Sequence, residues 1–446
     1  MSISLLTSPY FFHAEYSVRV IEEAEYLNNK IKQLRERLRK MSLLSYSGEI
    51  EEFLNNAQKD LDEVTIRARQ MDDILPTIRL EGLLKKISDL LVYIEQAINQ
   101  RYDLLETERK LVEQQGIHAD VLDIYRAIDI ILQKILSTYL KLQDLSSFHL
   151  FVSGVNFDFS SILYNRYGKY VFVFRTPSID VVRAIHWPCF AHEASHIRIG
   201  LLSIPPEIGK QRFYELAGSY VQELSKVVLR TEYGMLDTRL KEIINNQLVE
   251  TLADIMSTIV VGPSSLLSLS TLTDPMTETE QASDHPPLLA RIHCMFKVME
   301  TMIKHNDFLN LLDQIRAEWR VYIKNMILSK LRSKRYSNFI KDYEDIIDQY
   351  FQDLLQMARS LISGSEPMEF NYDKWISAKT FIESNFDIQT KNLDIVALLN
   401  VPWAYSLIDF PKKKEKCSRG KLMIDSYKEE PRYTEHIVRA ILARGE

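Results

Sequence analysis

Cysteine is nearly absent from this chain: Cys189, Cys294 and Cys417 are the only three in 446 residues. They are odd in number and far apart, which excludes a disulfide framework and a Cys-based zinc ribbon and points to a reducing, cytoplasmic setting. Glycine (13) and proline (14) are scarce too. All-β sandwiches and barrels consume many turn residues, so the shortage argues for a mainly α chain. Neither sign of charge dominates: 55 Lys and Arg face 61 Asp and Glu, a net charge of -6. That balance provides no electrostatic footprint for nucleic acid. Long apolar runs are also missing. The densest, Ile255–Leu269, is broken by Ser257, Thr258, Gly262 and Pro263, so no membrane span is expected. The opening MSISLLTSPYFF lacks a basic stretch ahead of an apolar one and does not read as a secretory signal. What is there, 46% hydrophobic and 26% charged residues, belongs to a folded chain with length for two or three domains.

Residues 16–146 read as long helices. Leu27, Ile31, Leu34 and Leu38 recur at helical spacing, and Leu84, Ile87, Leu91, Ile94 and Ile98 repeat the pattern. Breaks are expected at Ser45–Gly48, Pro76 and Gly116. A helical bundle or coiled-coil hairpin follows, a scaffold able to bind a partner protein. At Phe148 the pattern changes. FHLFVSGVNFDFS and YGKYVFVFRTP are aromatic and β-branched, and predict an antiparallel hairpin that Pro177 ends. Helical patterns then return for most of the remaining chain. The basic run KKKEKCSRGK after Pro411 reads as a solvated loop.

The chemistry-bearing segment is His192-Glu193-Ala194-Ser195-His196. At 3.6 residues per turn, His192 and His196 share one helical face and can bind one zinc ion. Glu193 is rotated by about 100° and can reach a water without being a ligand. Pro188 suits the start of that helix and Gly200 its end. A catalytic zinc needs a third protein ligand. The helix 240–261 carries Glu250-Thr251-Leu252-Ala253-Asp254, with both carboxylates on one face. Glu250 can ligate zinc, and Asp254 can accept a hydrogen bond from a ligating histidine. The plain alternative is a pair of exposed helix carboxylates. His285 and Arg291 flank a Pro-Pro helix start and can stabilise an oxyanion, or simply belong to a capping turn with a solvent-facing Arg. Cys189 lies one turn below His192. Tyr214 and Tyr220 are further hydroxyl candidates.

HExxH, then ExxAD, then HPP followed by Arg-Ile resembles the catalytic core of the CAAX-prenyl-protease and HtpX-type gluzincins, over roughly 187–292. The resemblance implies a zinc endopeptidase with His192, His196 and Glu250 as ligands, Glu193 as base, Asp254 orienting a ligand, and His285 and Arg291 near the site. Ser195 stands where that family has a small Gly, and the family's frequent membrane spans have no counterpart here. By analogy with such peptidases, the strand Tyr170–Phe174 is a candidate edge for an extended peptide.

Three regions are therefore expected: a long-helix bundle over 1–147; a zincin-like core over 148–305, with a β hairpin at 148–176, the HExxH helix at 187–200 and the third-ligand helix at 240–261; and a helical region over 306–446. The expected activity is hydrolysis of a protein or peptide substrate with Zn2+ as cofactor. A helical scaffold with a structural or vestigial zinc site is the alternative, and a zinc hydrolase acting on a non-peptide amide is a third reading. The sequence assigns no oligomeric state.

Overall fold

The computed structural model describes residues 9–40, 47–70, 74–115, 121–140, 146–154, 158–181, 183–201, 218–220, 222–226, 237–272, 285–310, 312–313, 316–317, 334–362, 368–383, 394–404 and 434–442. Of the expected breaks, Gly116 and the first half of Ser45–Gly48 lie outside them, as does the tail 411–433. The architecture is mainly α with one small sheet, as the scarcity of turn residues implies. The chain divides into two compact units. Met1–Leu122, Leu145–Val152 and Ile162–Phe174 form one; Asp123–Asp144, Ser153–Ser161 and Arg175–Glu446 form the other.

In the first unit, α1 (Pro9–Lys40), α2 (Ser47–Gln70) and α3 (Ile74–Gln115) run up, down and up. Their apolar stripes are the buried ones: Leu27, Ile31, Leu34 and Leu38 on α1, Phe53, Leu61 and Val64 on α2, and Leu84, Ile87, Leu91, Ile94 and Ile98 on α3. Cross-helix polar contacts set the directions. Asn28 donates to Asp62 at 3.0 Å and Arg39 meets Glu51 at 3.3 Å, so α2 is antiparallel to α1. Lys30 meets Glu95 at 2.5 Å and Arg37 bonds Asn99, so α3 runs parallel to α1. Pro76 falls in the first turn of α3 rather than between helices, because a missing N–H costs nothing there.

Most of the sheet belongs to this unit. Its strands β1 (Ser147–Gly154), β2 (Ser160–Arg166) and β3 (Lys169–Pro177) lie in the order β1-β3-β2. The antiparallel hairpin is present, but its first strand is β2, not the aromatic run at 148–154. Tyr167 and Gly168, with φ of 54° and 69°, form the two-residue turn that joins β2 to β3. β1 instead lies on the other side of β3, in parallel: the N–H of Tyr170 donates to Ser146 at 2.9 Å, so the two strands start together. β1 is buried on both faces over residues 148–153, which explains its continuous apolar character. β3 is the central strand, so Tyr170–Phe174 has no free edge for a peptide. Asp60 accepts from Arg166 at 3.0 Å and from Tyr167 at 2.8 Å, Lys169 meets Glu52 at 2.7 Å, and Arg101 donates to the carbonyl of Phe151 at 3.1 Å. These contacts fix the sheet to the bundle.

The second unit is built around one helix. α4 (Val121–Tyr139) enters it, followed by α5 (Cys189–Gly200), α6 (Asp237–Val261), α7 (Pro263–Leu272), α8 (Leu288–Met302), α9 (Lys334–Leu361), α10 (Tyr372–Glu383) and α11 (Ile395–Ala404). α5, α7, α8, α9 and α11 all pack on α6. From Thr251 to Val261 every residue of α6 is buried, so this helix is central rather than amphipathic. Its hydroxyls are satisfied internally: Thr251 donates to the carbonyl of Gln247 at 2.8 Å and Thr258 to that of Asp254 at 2.7 Å. Gly262 (φ 69°) ends α6, and a Cβ there would lie 2.4 Å from Phe370, so only glycine fits. Fully buried Asn400 closes the break. Its amide donates to the carbonyl of Val261 at 2.7 Å, and its oxygen accepts the N–H of Ser264 at 3.0 Å. Thus the free carbonyl end of one helix and the free N–H end of the next are both satisfied.

Candidate metal centre

α5 begins one residue after Pro188 and ends with Gly200. Its periodicity places His192 and His196 one turn apart, with ring centroids 4.7 Å apart and planes at 83°. Their Nε2 atoms face each other at 3.0 Å. α6 brings Glu250 against both: Oε2 lies 3.3 Å from His192 Nε2, and Oε1 lies 3.3 Å from His196 Nε2. A metal held tetrahedrally at about 2.0–2.1 Å from each ligand requires ligand atoms about 3.3–3.4 Å apart. The 3.0 Å between the two Nε2 atoms and the 3.3 Å approach of one Glu250 oxygen to each ring are of the size that a zinc-sized ion requires. Glu250 Oε2 is buried between His192 Nε2 and Arg291 Nη2. Glu193 belongs to the same cluster, with His192, Glu193 and His196 ligand atoms all within 4.8 Å of one another.

Behind these three side chains lies a buried charge network. Asp254, 1% exposed, sits one turn after Glu250, with Oδ1 3.1 Å from His192 Nδ1. That contact leaves Nε2 of His192 facing His196 and Glu250. From α8, Arg291 grips Asp254 with two bonds, Nε to Oδ2 at 2.7 Å and Nη2 to Oδ1 at 2.8 Å. Nη2 also lies 3.2 Å from Glu250 Oε2. Arg291 is itself 6% exposed, so it is not the solvent-facing side chain of a capping turn. Pro286 and Pro287 set its place: the N–H of Arg291 donates to the carbonyl of Pro287 at 3.0 Å, making the first turn of α8. His285 precedes them, 61% exposed, with Nε2 3.4 Å from Glu250 Oε1. Asp254 is thus buried and Glu250 largely so, rather than an exposed pair, because this half of α6 is the core of its unit.

This network tunes each group. Burial disfavours a charged His192, but hydrogen bonds to Asp254 and Glu250 outweigh it and raise its pKa to about 10. Burial, then the neighbouring His192, push His196 down to about 4. Burial works against ionised Glu250 and Asp254, yet both are held below the usual carboxylate range, Glu250 by His192 and Arg291, Asp254 chiefly by Arg291. Glu193 moves the other way: burial, with Glu250 nearby, raises it above the ordinary value. Two carboxylates in one site therefore have opposite tendencies, Glu250 to stay ionised and Glu193 to take a proton.

The cluster opens on a cavity of about 330 Å³, whose wall includes His192, Glu193, His196, Glu250, His285 and Arg291. Asp158, Phe159, Pro177, Ser265 and Leu269 complete that wall, and no local spacing in the sequence singles them out. Cys189 also lines it, and burial, then Glu193, keep its thiol neutral. Tyr220 is fully buried and is not part of the wall; Tyr214 lies outside the described residues. His186 pairs with Asp180 at 2.7 Å. No described helix is long and apolar enough to cross a membrane. No protein-family profile, curated protein or solved structure matches the chain.

Proposed function

We propose that this chain is a zinc-dependent metallopeptidase of gluzincin type, with His192, His196 and Glu250 as metal ligands. The observation that carries the reading is the convergence of two imidazole Nε2 atoms and one carboxylate, with approaches of 3.0–3.3 Å, on the wall of a cavity that also holds Glu193. The two-histidine, one-carboxylate donor set is that of a catalytic zinc, which keeps one position for substrate or water. When bound, zinc supplies Lewis acidity that polarises the scissile carbonyl and acidifies water.

The remaining roles belong to the chain. Glu193, with its pKa raised by burial, takes a proton from the attacking water and passes it to the leaving amine. Asp254 holds His192 in the tautomer that presents Nε2. Arg291 is a positioning residue: its donors face Asp254 and Glu250, and it offsets their charge. His285, the most exposed of the group and 3.4 Å from Glu250, donates to the oxygen of a tetrahedral intermediate in this reading. The motif resemblance to CAAX-prenyl-protease and HtpX-type enzymes supports this assignment, and the low cysteine content supports a cytoplasmic location.

The test is Glu193→Gln. The variant is expected to retain about one zinc per chain by elemental analysis. Its hydrolysis of a quenched-fluorescence peptide library should fall by about 100-fold or more. Full activity in that variant refutes the mechanism. Binding of a partner protein that survives the substitution, with no turnover in the unaltered chain, supports the scaffold reading instead.

A further inference from the structure

The cavity wall carries four carboxylates: Asp158, Glu193, Glu250 and Asp254. Three have an assigned counter-charge or task. Arg291 pairs with Asp254 and Glu250, His192 contacts both of them, and Glu193 lies in the cluster with His192 and His196. Asp158 is left over. It is exposed, and among the described residues its carboxylate forms no ion pair or hydrogen bond; its one recorded contact is through its backbone carbonyl, which accepts from Ser160 Oγ at 3.2 Å.

Asp158 is also held in place. Its neighbour Phe159 packs its ring against Phe190 at 5.7 Å and His186 at 6.5 Å. Ser160 Oγ accepts from Arg175 Nε at 2.9 Å, and Ser161 Oγ donates to the carbonyl of Glu193 at 2.8 Å. The segment bearing Asp158 is therefore tied to the helix that bears the HExxH residues. An unpaired carboxylate on the wall of a cavity attracts a cation. Arg291 on the same wall is engaged with Asp254 and Glu250, and Phe159, Pro177, Ser265 and Leu269 carry no charge.

Resting on the metallopeptidase reading, we propose that Asp158 is a specificity residue that selects peptides with a basic side chain beside the scissile bond. The experiment uses the zinc-loaded full chain and matched quenched peptides that differ only by Lys, Leu or Glu at the flanking positions. The Lys peptides are expected to show kcat/KM about fivefold to tenfold above the Leu peptides, with Glu lowest. Asp158→Asn should bring the three together, Asp158→Lys should invert their order, and added salt should shrink the spread in the unaltered chain. A parallel arm measures calorimetric binding of lysine, leucine and glutamate hydroxamates to zinc-loaded Glu193→Gln, with and without Asp158→Asn, so it needs no turnover. Hydrolysis with the same Lys:Leu:Glu ratio in Asp158→Asn overturns the assignment while leaving the peptidase reading intact. No hydrolysis, together with a lysine-hydroxamate preference that Asp158→Asn removes, refutes the peptidase and upholds the cation subsite.

Discussion

Arg291→Leu is the sharpest test of the buried network. The substitution removes two short bonds to Asp254, at 2.7 and 2.8 Å, and a third contact to Glu250 at 3.2 Å. It leaves two carboxylates, 1% and 12% exposed, without their guanidinium. Breaking one side of a buried ion pair costs about 3–5 kcal/mol, because the remaining charge has neither water nor partner. For a unit of this size that corresponds to about 6–20 °C in its melting transition. The double variant Arg291→Leu with Asp254→Leu removes both charges and should recover much of the loss, since replacing a whole buried pair by apolar side chains is often near neutral. Saturating zinc should narrow the gap for the single variant, because a dication offsets the excess negative charge. Urea unfolding of the four proteins of this cycle, with and without zinc, measures the coupling. An Arg291→Leu variant within about 0.5 kcal/mol of the parent, the usual surface range, refutes the account of a buried, mutually dependent cluster.

Further outcomes follow from the same geometry. Free zinc at about 100 times its Kd should stabilise the second unit by about 2.7 kcal/mol, an upward shift of about 5–10 °C by calorimetry, and His192→Ala should abolish the shift. The depressed pKa of Asp254 implies a stabilisation that is complete above the unfolded value, about 3.9, and is lost as pH falls through the folded value. Acid unfolding of the parent should therefore steepen below about pH 4, and Asp254→Asn should flatten that limb. Gly262→Ala forces a Cβ to within 2.4 Å of Phe370 at φ 69°, and should cost about 2–4 kcal/mol in urea.

The aromatic segments show where local pattern stops informing. The run 148–154 and the run 169–177 both read as strands, and both are strands. Their partnership was not legible, because β2 carries only SSILYNR, a weaker signal, and takes the hairpin position through the Tyr167–Gly168 turn. The same holds for Asp158, which reaches the cavity through the packing of Phe159 and Ser161 rather than through any spacing in its own segment. Arg291 shows the converse. Its place after Pro286 and Pro287 is visible in the sequence, but its bond to Asp254, 37 residues away, is not.

By itself the sequence determined the helical class, through its shortage of glycine and proline and its apolar stripes. It also determined that His192 and His196 share a face, and that Glu250 and Asp254 share another, since helical periodicity is local. Only the tertiary structure decided that those two faces meet with approaches near 3.3 Å, that α6 is buried on all sides from Thr251 to Val261, and that Arg291 is committed to carboxylates rather than solvent. The physical reason is range. Periodicity acts over one or two turns, whereas a metal site and its charge balance depend on side chains brought together by the packing of separate helices.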